Sequence, residues 1–117
     1  MNSISSNNVY SLCIPRVSLN INEMQIRNIF DELNMGIIQR IDIVNKTTEK
    51  GEKFNRVFIH FESWFETENA ILALERLNNG KEIKIMYDEP WFWRAAPSYI
   101  KKDFVDKIKK YPRNKIK

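Results

Sequence analysis

FNRVFIHFESW, residues 54 to 64, is the stretch on which the fold turns. Val57, Ile59 and Phe61 fall on one side of a period-two pattern, and Phe54, Arg56, Phe58 and His60 fall on the other, as in an extended strand whose two faces meet different surroundings. The first side is purely apolar and reads as a core face. The second mixes rings with basic groups.

Working upstream, the polar run NKTTEKGEK with Gly51 reads as a loop, and before it IIQRIDIVNK is a second strand that turns Arg40 and Asp42 away from Ile41 and Ile43. Earlier still, Asn22 with Gln25 three residues later has the capping-box spacing. Ile26, Ile29, Phe30 and Leu33 follow at helical intervals, with Gly36 as the expected stop. VYSLCIPRV, residues 9 to 17, predicts the first strand, with Leu12 and Ile14 opposed to Ser11 and Cys13 and closed by Pro15 and Arg16. Residues 1 to 8 are a polar leader.

Downstream, Ala70, Ile71, Leu74 and Leu77 form one helical stripe that exits through Asn78-Asn79-Gly80. KEIKIMY then alternates Ile83, Ile85 and Tyr87 against Lys84 and Met86, a last strand. The order β-α-β-β-α-β predicts an α+β fold: a four-stranded antiparallel sheet with both helices on one face, because right-handed crossovers place them on the same side. The other face is left for contact. The expected organisation is a leader to residue 8, a domain over 9 to 88, and an aromatic then basic extension over 89 to 117 with a short helix at 99 to 110.

Composition bounds the function. The 117 residues suit one domain, and no apolar run approaches the ~20 residues of a membrane span. No secretory signal opens the chain, and the single Cys13 makes neither an internal disulfide nor a zinc site, so a reducing intracellular setting is expected. Residues 1 to 93 carry net charge −3 and residues 94 to 117 carry +7, so the basicity belongs to the C-terminal segment. His60 is the only histidine, with no nucleophile or carboxylate motif beside it in sequence, and three glycines build no phosphate loop. Neither an enzyme nor a cofactor or metal is expected.

Residues 9 to 87 resemble the RNA recognition motif, a ferredoxin-like βαββαβ sandwich. The six-residue motif of its first strand corresponds to Leu12-Cys13-Ile14-Pro15-Arg16-Val17, with Cys13 where the family carries a ring. The eight-residue motif of its third strand corresponds to Phe54-Asn55-Arg56-Val57-Phe58-Ile59-His60-Phe61, where Phe58, Ile59 and Phe61 match and Arg56 replaces a stacking aromatic. Gly36-x-Ile38-x-x-Ile41-x-Ile43 and Ala70 through Gly80 look like the family's second strand and second helix. FIHFESWF and YDEPWFWR are similar to short members encoded by large DNA viruses of eukaryotes, which would place the protein in a host cell or a virion. The resemblance implies single-stranded RNA as partner, with Phe58 stacking a base and Arg56 stacking through its guanidinium or pairing with phosphate. Single-stranded DNA stays open.

The expected nucleic-acid contacts are Phe58, Arg56, Arg40, His60 and Cys13 on the sheet. Trp91 and Trp93 join them if they fold over it in place of the missing ring, the bland alternative being that they extend the core or cap an edge. Lys101, Lys102, Lys109 and Lys110 surround an apolar stripe of Ile100, Phe104, Val105 and Ile108 and would meet phosphates. Such a basic amphipathic helix also suits a partner groove or an acidic membrane surface, although a membrane is not the expected partner. The competing function is a protein-interaction or virion structural component anchored by the sheet or the tryptophans.

Overall fold

A computed structural model describes residues 8 to 99. The leader before residue 8, the expected helix from residue 100 onward, and Lys101, Lys102, Lys109 and Lys110 lie outside the described residues. The element order is β1 (Ser11–Val17), α1 (Glu23–Leu33), β2 (Gly36–Thr47), β3 (Lys53–Trp64), α2 (Glu68–Asn78), β4 (Ile83–Asp88) and β5 (Trp91–Pro97). The expected β-α-β-β-α-β order and ferredoxin-like arrangement hold, but the sheet has five strands, in the order β2-β3-β1-β5-β4.

The extra strand is the aromatic segment. Read as following the last strand, WFWRAAP is instead β5, inserted between β1 and β4: Leu12 faces Pro97 and Cys13 faces Ala96 on one side, while Ile83 faces Ala95 and Ile85 faces Trp93 on the other. The expected boundary at residue 88 falls at the end of β4, just before the turn to β5, where the Glu89–Pro90 peptide is cis. Trp93 and Ala95 point toward the helices, and Trp93 stacks on Tyr87 with ring centroids 4.4 Å apart. Phe92, Arg94 and Ala96 alternate to the other face, since successive side chains of a strand point oppositely.

Leu12, Ile14, Val57, Ile59, Ile85 and Ala95 from the sheet pack with Ile26 and Phe30 of α1 and Ala70 and Leu77 of α2. This puts the main core, and both helices, on one side. α1 begins with the expected capping box: the Gln25 amide donates to Asn22 Oδ1 and the Asn22 amide to Gln25 Oε1, both at 2.8 Å. It ends at Asn34, left-handed at φ 54°, two residues before the expected Gly36. Gly36 instead opens β2, where a Cβ would stand 2.3 Å from the Ser63 carbonyl oxygen. In α2 the expected stripe is rotated, so that Ala73 packs on the core and Ile71 faces solvent. β1 runs through Pro15 and Arg16 rather than closing there, because its register with β3 shifts between Ile14 and Val17 and leaves the proline nitrogen without a ladder position to fill.

Candidate nucleic-acid interface

The register of β1, β2 and β3 sets the face turned away from the helices. Ser11 lies opposite His60 and Cys13 opposite Phe58 across β1 and β3; Arg40 lies opposite His60, Asp42 opposite Phe58 and Val44 opposite Arg56 across β2 and β3. The structure thus brings together five of the expected contacts: Arg40, His60, Phe58, Arg56 and Cys13.

Three positions that the sequence resemblance singles out for stacking form the centre. Phe58 is 4% exposed and packs with Val44 and Cys13 in a small second cluster, so its ring offers a base no free side in this state. Cys13 is half-buried, and burial holds its thiol above the ordinary range while the Arg56 guanidinium pulls the other way. Arg56 is half-buried like Cys13, its Nε donating to the Pro15 carbonyl at 3.4 Å. A consequence is measurable: alkylation of Cys13 followed against pH should show a midpoint above that of a free thiol, and Arg56→Gln should move it further up. An unshifted midpoint in the wild type would contradict the burial.

Above this row is a network that single-sequence reading missed. Arg40 Nε donates to Asp42 Oδ1 at 2.7 Å, Asp42 Oδ2 lies 2.9 Å from His60 Nε2, and His60 Nδ1 lies 2.7 Å from Ser11 Oγ. A carboxylate only accepts, so Nε2 carries a proton and donates to Asp42; Nδ1 then accepts from the Ser11 hydroxyl, or donates to it in the imidazolium. The expectation that His60 has neither nucleophile nor carboxylate beside it is therefore corrected. The four residues come from three strands, and only strand register joins them. A serine, histidine and aspartate in series resemble a hydrolytic relay; here His60 is 3% exposed and Asp42 0%. What the arrangement does is bolt β2, β3 and β1 together by side chains on the outer face.

Trp93 belongs to the core on the helix side, 5% exposed, so it does not fold over the outer face. Of the two readings of the tryptophans, core extension holds for Trp93. Trp91, at the start of β5, is 64% exposed. Toward the Pro15 end of the outer face, sequence reasoning also missed Arg16, Phe54, Phe92, Arg94 and Lys84. Arg16 lies over the Phe54 ring, 4.2 Å from its centroid, and Lys84 and Arg94 lie 4.8 and 5.8 Å from the Phe92 centroid. Phe92 and Arg94 stand in an unusual aromatic cluster, in which only Arg94, charged between Trp93 and Ala95, marks the outward face.

Among known proteins, the family model of the RNA recognition motif matches residues 12–86. Neither the curated proteins nor the solved structures gave a match.

Proposed function

The chain belongs to the RNA recognition motif family, and from that premise we propose that it is a non-catalytic module that binds single-stranded RNA through the face of its sheet turned away from α1 and α2. Binding of nucleic acid is what the family membership supports in general; the finer reading concerns how this member does it. The observation that carries it is the placement of Arg56: it emerges from β3 on the outer face, diagonal to Cys13 and two residues from Phe58, at a position where the family places a ring. A guanidinium there stacks flat on a base or pairs with phosphate. One such contact gives weak affinity, because stacking contributes only ~1–3 kcal/mol per base. The net +7 of residues 94 to 117 adds attraction for a polyanion that salt screens over ~8 Å.

Titration of the full chain against labelled single-stranded RNA at low and moderate salt tests this. Binding should be present at low salt and fall as salt rises, and Arg56→Ala should weaken it by about fivefold to tenfold, the equivalent of ~1 kcal/mol. No binding to any single-stranded pool at low salt would sink the reading. One observation favours a second reading, attachment to a partner protein: Trp91, a large ring left 64% exposed at a strand start, is the kind of residue that anchors interfaces.

A further inference from the structure

Four cations, three of them from the net acidic residues 1 to 93, stand on one end of the outer face. Arg56 projects from β3, Arg16 from the irregular stretch of β1, Arg94 from β5 and Lys84 from β4, in the spatial order of the strands. Lys84 and Arg94 are directly paired across β4 and β5, and Met86 is paired with Phe92 one step along. Like charges set opposite each other repel, so the pair is not there for the stability of the hairpin. Among the described residues one carboxylate, that of Glu82, reaches Arg94, at 3.4 Å, with both side chains more than half exposed. That pair is weak and open to exchange for a stronger anion.

The rings between the cations hold them in place. Phe54 lies under Arg16, and Phe92 lies beside Lys84 and Arg94, so each long side chain is directed before any ligand arrives and loses less freedom on binding. A groove of about 280 Å³ lined by Pro15, Arg16, Phe92, Trp93 and Arg94 runs between the two clusters. Strands lie ~4.8 Å apart, so from β3 to β4 the row of cations spans ~14 Å across the sheet, long enough for successive phosphates of one strand rather than a single anion.

We propose that this row, Arg56, Arg16, Arg94 and Lys84 with the rings of Phe54 and Phe92, is a phosphate track that carries single-stranded nucleic acid across the sheet and onto the β4–β5 hairpin. The proposal rests on the nucleic-acid reading above and adds to it the route and the kind of recognition. With the ring faces occupied by cations, contact is led by the backbone, and the strand is held with little preference for base. RNA and single-stranded DNA share the chemistry the track reads, and the test separates them.

The experiment measures binding of the full chain to labelled RNA and DNA homopolymers of one length across a salt series, for the wild type and Lys84→Ala/Arg94→Ala. Both substitutions are at exposed positions, and a thermal melt confirms that the variant is folded. The expected result is a tenfold or greater loss of affinity at low salt. The slope of log K against log salt should become shallower by about 1.4, two phosphate contacts at ~0.7 each on a single strand. Wild-type affinities for different bases, and for RNA and DNA, should agree within a few fold. A double variant that binds with wild-type affinity and slope would overturn the track while leaving RNA binding through Arg56 standing. Strong selection of one base, or of RNA over DNA, would overturn the backbone-led mode. Loss of binding to an acidic peptide or anionic vesicles, with nucleic-acid binding unchanged, would assign the row to another occupant. A wild type that binds no single-stranded pool at all would remove the function and the track together, which the variant arm alone cannot do.

Discussion

Asp42→Ala is expected to lower the unfolding free energy by about 3–5 kcal/mol, because it leaves the buried His60 donor and the one-third-exposed Arg40 guanidinium without their carboxylate. The reason lies in what is left behind. Asp42, at 0% exposed, accepts from Arg40 Nε and His60 Nε2 at 2.7 and 2.9 Å among the described residues, and its removal takes the carboxylate from these donors while they stay in place. In a domain of this size each kcal/mol moves the midpoint by ~4–8 °C, so the melt should fall by more than about 12 °C. Asp42→Asn keeps an acceptor and the shape, and should lose less. Ser11→Ala removes one hydroxyl from the end of the chain and should cost only ~0.5–1.5 kcal/mol. Equilibrium urea unfolding of the three variants ranks them. A loss below 1 kcal/mol for Asp42→Ala would mean that the network does not fasten the strands.

The two tryptophans of β5 should behave oppositely. Trp93→Ala empties a site in the main core, against Tyr87, and should cost about 3–5 kcal/mol, as deletion of a buried indole does. Trp91→Ala, two residues away and mostly exposed, should change stability by no more than about 0.5 kcal/mol. Urea midpoints of both variants decide it. Equal small losses would mean that β5 does not fill the core as described. If instead the Trp91 variant were the less stable of the two, the alternation of the strand would be reversed.

These two experiments probe the parts of the molecule that sequence made hardest to see. Alternation over residues 54 to 64 and the helical spacing of Ile26, Phe30 and Leu33 are strong signals, because each buried face repeats against polar neighbours; the order of elements and the capping box at Asn22 follow from them. β5 gives no such contrast. Trp91, Phe92 and Trp93 are all apolar, so its two faces cannot be told apart at the start, and the prolines at 90 and 97 bracket it like a loop. The network of Arg40, Asp42, His60 and Ser11 was half legible: each residue could be placed on the outer side of its strand, but which ones meet depends on register, and register between β1 and β3 is a property of packing over 49 residues of separation. The recessed state of Phe58 is likewise invisible in a motif, which gives the side of the sheet a ring is on and not whether that side is occupied.

The position of β1 bears on how the polypeptide acquires its shape during synthesis. Made some 85 residues before its last partner, it is flanked in the finished sheet by β3 and by β5, the latter the last strand described, with Leu12 set opposite Pro97. A nascent chain emerging from the ribosome can join β1 to β3 midway, but the remaining flank has no complement until about 85 further residues have been translated. Contacts that far apart in sequence make assembly slow, and during the wait the centre of the future sheet is an unpaired rim, the state in which a translating protein most needs a chaperone.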